Sequence, residues 1–175
     1  DENAVIVAHH PRGQADPHEM KHARTITPDA PVAQMDDMTG LPGIVIACLR
    51  HWNRGGAAAA LGLLRAHMSE ATACASFEAL QDLTDVLGPH IRRPLRCHAP
   101  QCQCVGLDEA AFARFVEEAA LGEREEALML ASLLVAPRGI MPLADAAHRL
   151  GLTLHRAVLQ QRTQGFPDPA NQTRH

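Results

Sequence analysis

Leu41-Pro42-Gly43-Ile44-Val45-Ile46-Ala47-Cys48-Leu49-Arg50-His51-Trp52 is the stretch whose periodicity decides the fold. Leu41, Ile44, Val45, Cys48, Leu49 and Trp52 recur at i, i+3, i+4, i+7, i+8 and i+11, which is one apolar stripe of an amphipathic helix. Pro42 suits the first turn, where a helix has no use for the missing N–H. Cys48 falls on the buried side and reads as a small core hydrophobe. Asn53-Arg54-Gly55-Gly56 interrupts the period, and residues 57–68 resume it with Leu61, Leu64 and Met68. Two antiparallel helices joined by a glycine turn are therefore expected.

The same reading extends along the chain. Residues 69–75 read as a linker holding Cys74, and Ser76 as the N-cap of a helix carrying Phe77, Leu80, Leu83 and Leu87 that Gly88-Pro89 stops. Asp108 reads as the next N-cap, with Glu109 in the first turn and Leu107 stapled on Phe112. Phe112, Phe115, Val116 and Ala119 form the buried side, and Gly122 ends that helix. Residues 123–136 open with Glu123, Glu125 and Glu126 and continue almost without a polar break, which marks them as the central core helix, ended by Pro137. Residues 143–150 read as a short helix closed by Gly151, and Thr153 caps a last one with Leu154, Ala157 and Val158. The expected fold is all-α, one bundle of six or seven short helices.

Composition agrees. With 46% hydrophobic residues but only 3% aromatic ones, the core of this 175-residue chain must be built from Leu, Ala, Val, Ile and Met, which favours helices over sheets. Residues 1–38 mix Pro, Asp, His and Gly without a period and read as a flexible arm; 39–164 form the helical domain and 165–175 a flexible tail. The net charge of -4 argues against a protein that coats nucleic acid or an anionic membrane. No secretory signal opens the chain and no apolar stretch is long enough to span a bilayer, so a cytoplasmic protein is expected. His18-Glu19-Met20-Lys21-His22 matches the zincin pattern H-E-x-x-H, but no apolar face surrounds it between Pro17 and Pro28, and it reads as a chance match.

The chemistry concentrates in residues 88–105. A connection this long needs a function or a tie. It holds Arg92, Arg93 and Arg96, no acidic residue, and the cluster Cys97-His98-Ala99-Pro100-Gln101-Cys102-Gln103-Cys104. A metal would supply the tie, and a closed zinc site from Cys97, Cys102, Cys104 and His98, with His90 or Cys74 as the alternative fourth ligand, is the leading expectation. An iron-sulfur cluster on the same thiolates ranks below it. The metal-free alternative is a thiol redox sensor, in which nearby Arg favour the thiolate and Cys97 pairs with Cys102 or Cys104, because a Cys102–Cys104 disulfide is strained.

A second class of function comes from residues 143–160. Ala147-His148-Arg149-Leu150-Gly151-Leu152-Thr153 resembles the first half of helix-turn-helix sequences, with Gly at the corner. The resemblance implies a DNA-binding regulator in which His155 and Arg156 contact the duplex. No phosphate loop and no acid–base or nucleophile constellation stands out, so a non-enzymatic regulatory protein is expected, acting through a protein partner or self-association, or on DNA.

Overall fold

The computed structural model describes residues 6–8 and 31–164. Five helices make up most of it: α1 (Leu41–His67), α2 (Glu70–His90), α3 (Leu107–Leu121), α4 (Arg124–Leu134) and α5 (Ile140–Gln164). Four short strands accompany them, β1 (Ile6–Ala8), β2 (Pro31–Gln34), β3 (Leu95–Cys97) and β4 (Cys104–Gly106). β1 runs parallel to β3 with Ala8 opposite Cys97, and β2 antiparallel to β4 with Gln34 opposite Cys104. Order thus reaches upstream of residue 39, the expected start of the folded domain, because β4 offers β2 a backbone partner. The rest of the expected arm, including His18 to His22, and the tail at 165–175 lie outside the described residues.

The helix count is five rather than six or seven, for local reasons. Gly55 and Gly56 leave helical geometry, Gly56 at φ 64, so α1 is two helical halves joined at the expected glycine turn. The bend is sharp: Ile44 and Leu63, about 28 Å apart along a straight helix, line one cleft. α2 begins about two turns before the start expected from Ser76, because the Ser69 hydroxyl caps it by accepting from the Thr72 N–H. Ser76 is instead buried within the helix. α5 runs unbroken through Gly151, which corrects the helix-turn-helix expectation: there is no corner, and half-buried His155 and exposed Arg156 continue the helix that holds Leu143 and Leu150.

Gly151 is small because α3 lies against it. A Cβ there would stand 2.6 Å from the Ala120 Cβ and 2.9 Å from the Val116 carbonyl oxygen. His148, one turn earlier, donates from Nδ1 to the Ala119 carbonyl at 2.6 Å, joining the Gly122 N–H on an acceptor at the end of α3. α5 packs along both α2 and α3, burying Leu143, Ala147, Leu150 and Leu154. α4, expected at the centre, is peripheral instead. It buries only Ala127 and Ala131 and leaves Met129 and Leu133 exposed, since small residues alone let it approach its neighbours. No described helix is long and apolar enough to cross a membrane.

Two glycine substitutions should move stability in opposite directions. Gly62, in α1, has open space where a Cβ would go, so Gly62→Ala should gain about 0.5–1 kcal/mol from the reduced backbone entropy of folding. Gly151→Ala should lose about 1–3 kcal/mol through overpacking, despite the same gain in helix propensity. Urea denaturation of both variants checks this pair.

Candidate functional site

The tie that holds the cysteine-bearing connection is a buried carboxylate from just beyond it. Glu109 lies in the first turn of α3, and its side chain is fully buried against Arg50 of α1. Arg50 donates from Nε to Oε1 at 2.7 Å and from Nη2 to Oε2 at 3.0 Å. Its remaining reach goes to the loop backbone: Nη1 to the Cys102 carbonyl and Nη2 to the Cys104 carbonyl, both at 2.6 Å. Glu109 in turn accepts from the His98 N–H at 2.9 Å, the His98 Nδ1–H at 3.0 Å and the Gly106 N–H at 2.8 Å. One guanidinium and one carboxylate therefore fix both ends of the turn that carries the thiols.

The neighbouring acid repeats the device nearer the surface. Asp108 takes both terminal nitrogens of Arg93, at 2.6 and 2.7 Å, and the Arg96 N–H at 2.9 Å. Upstream, the Arg92 N–H donates to the Leu134 carbonyl and its Nε to the Val135 carbonyl, which stitches the start of the connection to the end of α4. The Gln103 carbonyl accepts from the Met35 N–H at 2.8 Å. The carbonyls of Cys102, Gln103 and Cys104 are thus all engaged in succession. Asp108 is not the N-cap of α3, a position Gly106 takes, and Leu107 is exposed rather than stapled.

The expected metal ligands are not brought together. Cys97 is buried on β3, and burial first, then the charges of Glu109 and Asp108, push its thiol well above the usual range against the opposing pull of Arg50. His98 spends Nδ1 on Glu109. His90 ends α2 with its ring against Gly139, where an added Cβ would meet the His90 Cβ at 2.5 Å. Cys74 sits on α2 beside Glu70, about 24 Å along the helix from His90. Among the described residues no three His, Cys, Asp or Glu side chains converge on a point that could hold a metal ion. The structure shows no such gathering of donors among the described residues, and what ties the loop in it is Glu109 and Arg50.

What the loop does bring together is Cys102 and Cys104. Both are half-buried, and the neighbouring Cys102 thiol, more than burial, raises the Cys104 thiol. Cys48 is inert by contrast, buried in the core with its thiol pushed up to about 12. The sequence reading found the thiols but missed Arg50 and Glu109. The available signal was three arginines in a connection without an acid, followed at once by Asp108-Glu109.

The clamp should be visible in pH dependence. Burial by itself raises the Glu109 carboxyl, yet hydrogen bonds from Arg50, Gly106 and His98 with the Arg50 charge outweigh it and hold it below its ordinary 4.5. Its contribution to stability is therefore fully present above about pH 4.5 and is lost as pH falls through the lowered value. Glu109→Gln should cost about 3 kcal/mol at neutral pH, because Arg50 is left buried without its counter-charge. The variant should also lose part of the acid dependence between pH 5 and 3, as followed by urea denaturation across that range.

No family model matches the chain, and neither a curated protein nor a solved structure does, so what this loop does has to be argued from its own geometry.

Proposed function

We propose that the protein is a non-enzymatic regulatory module that responds to thiol oxidation through Cys102 and Cys104. The observation that carries this reading is that Cys102 and Cys104, two residues apart and both partly exposed, sit on a turn whose backbone is held from inside the protein, while Cys48 and Cys97 are buried. Cys102 acts as the attacking thiolate and Cys104 as the resolving thiol.

The chemistry balances with a hydroperoxide as oxidant. The Cys102 thiolate attacks one peroxide oxygen, the O–O bond breaks, and hydroxide or alkoxide leaves with a sulfenic acid formed on Cys102. The Cys104 sulfur then attacks the Cys102 sulfur, its proton and the sulfenic hydroxyl depart as water, and a disulfide closes. A disulfide across a single intervening residue is strained, which makes it easily reduced by a cellular dithiol, a property of regulatory disulfides. Cys97 has no part in this step, being buried with a raised thiol, so the pairing expected from sequence spacing gives way to the two partly exposed thiols of the turn.

Dilute hydrogen peroxide followed by alkylation and peptide mass analysis tests the reading. A loss of two hydrogens should map to the peptide spanning residues 102–104 and reverse with dithiothreitol. Cys102→Ser should abolish it, and Cys97→Ser should leave it intact. Thiols that all remain alkylatable after peroxide, or a disulfide that includes Cys97, would defeat the proposal.

A further inference from the structure

We infer that the cleft inside the bend of α1 binds an uncharged, mostly apolar small molecule. It arises because the kink at Gly55 and Gly56 brings Ile44 and Ala47 of the first half of α1 opposite Leu63 of the second. Met35 and Met38, in the turn before α1, and Val158 of α5 complete the walls. The cleft is partly open to solvent and has a volume of about 530 Å³. Protein interiors hold few voids larger than a water, and an apolar cleft of several hundred Å³ is the size class of small-molecule sites.

Three features keep the space open and select its occupant. The segment bearing the methionines is pinned over α1, since the Met38 carbonyl oxygen lies only 2.1 Å from where a Cβ of Gly43 would stand. Any side chain at Gly43 would push that segment away. The far end of the segment is held by the bond from the Met35 N–H to the Gln103 carbonyl, so the wall does not collapse into the cleft. Among the described residues the lining contains no Asp, Glu, Lys or Arg, and its imidazole, His67, is exposed and bonded through Nδ1 to the Leu63 carbonyl. A charged ligand would lose its hydration without finding a counter-charge, which favours a neutral one. The paired methionines supply soft walls that adapt to flat or branched apolar shapes.

N-phenyl-1-naphthylamine, an uncharged fluorophore whose emission rises in apolar surroundings, is the probe, titrated into the full chain. Saturable binding of one molecule per chain is expected. Ala47→Leu, which fills the cleft, should weaken it at least tenfold with helical circular dichroism unchanged. Met38→Gln, on the opposite wall, should weaken it as well, which keeps the test alive if the first variant misfolds. Leu133→Ser, on the exposed face of α4, should leave affinity as in the wild type. Non-saturable binding by the wild type, or undiminished affinity in folded Ala47→Leu and Met38→Gln, would overturn the inference. Loss of binding in Leu133→Ser would do so too, by placing the probe on the outer surface.

Discussion

Arg50 and Glu109 are fully buried and ionic, and the rest of the molecule is arranged so that neither is left wanting. Removing two charges from water costs several kcal/mol each, and attraction between them offsets that only when every remaining donor and acceptor is also met. Here they are met by the loop: two carbonyls for the guanidinium, two backbone N–H groups and one imidazole N–H for the carboxylate. Among the described residues no buried side-chain nitrogen or oxygen lacks a partner. The pair is satisfied only when α1, α3 and the turn between β3 and β4 are all in place. It thereby specifies one arrangement of the three, where apolar packing alone tolerates several.

Around that pair the core is made by close approach more than by large side chains. α5 meets α3 through Gly151, Ala147 and Ala120, and α4 meets its neighbours through Ala127 and Ala131. The aromatic residues are few, yet Phe112 and Phe115 stand 6.2 Å apart beneath the loop and fill what alanine cannot. A chain poor in aromatics buys its density by bringing backbones together, and the consequence is low tolerance for added atoms wherever helices touch. One place where the backbones do not close up is the bend of α1. There the preceding segment rests on Gly43 and is anchored at Gln103, between the two thiols. Cleft and dithiol are distinct sites that share one strand of backbone.

The candidate site was legible as chemistry but not as geometry. Three closely spaced cysteines with a histidine announce a reactive or liganded segment, and a connection of that length without acids calls for a tie. Local spacing could not say that the tie is ionic. Arg50 is distant in sequence, and on a helical wheel it sits next to the apolar stripe and passes for a solvated cation. Its burial depends on which side of α1 meets α3: Ile46 and Arg50 turn inward, while Ile44 and Trp52 are only half-buried. Glu109 likewise reads as an ordinary acid at a helix start, and its approach to Gly106 is the only part of its role that is local.

Read alone, the sequence determined that the chain is helical, where most helices lie, and that three of the five cysteines cluster between α2 and α3. These follow from the periods of apolar residues and from composition, which act within a few turns of the chain. Only the tertiary structure decided that Gly151 is a contact rather than a corner, because a glycine has the same local preferences whether a neighbouring helix lies against it or not. It alone decided that α4 is peripheral, since a continuous apolar run does not reveal how many sides are covered. It also parted Cys97 from Cys102 and Cys104, for β3 and β4 pair with different strands and not with each other. Residues fixed by their own neighbours in sequence could be read; residues fixed by charge partners and close contacts from elsewhere in the chain had to be seen.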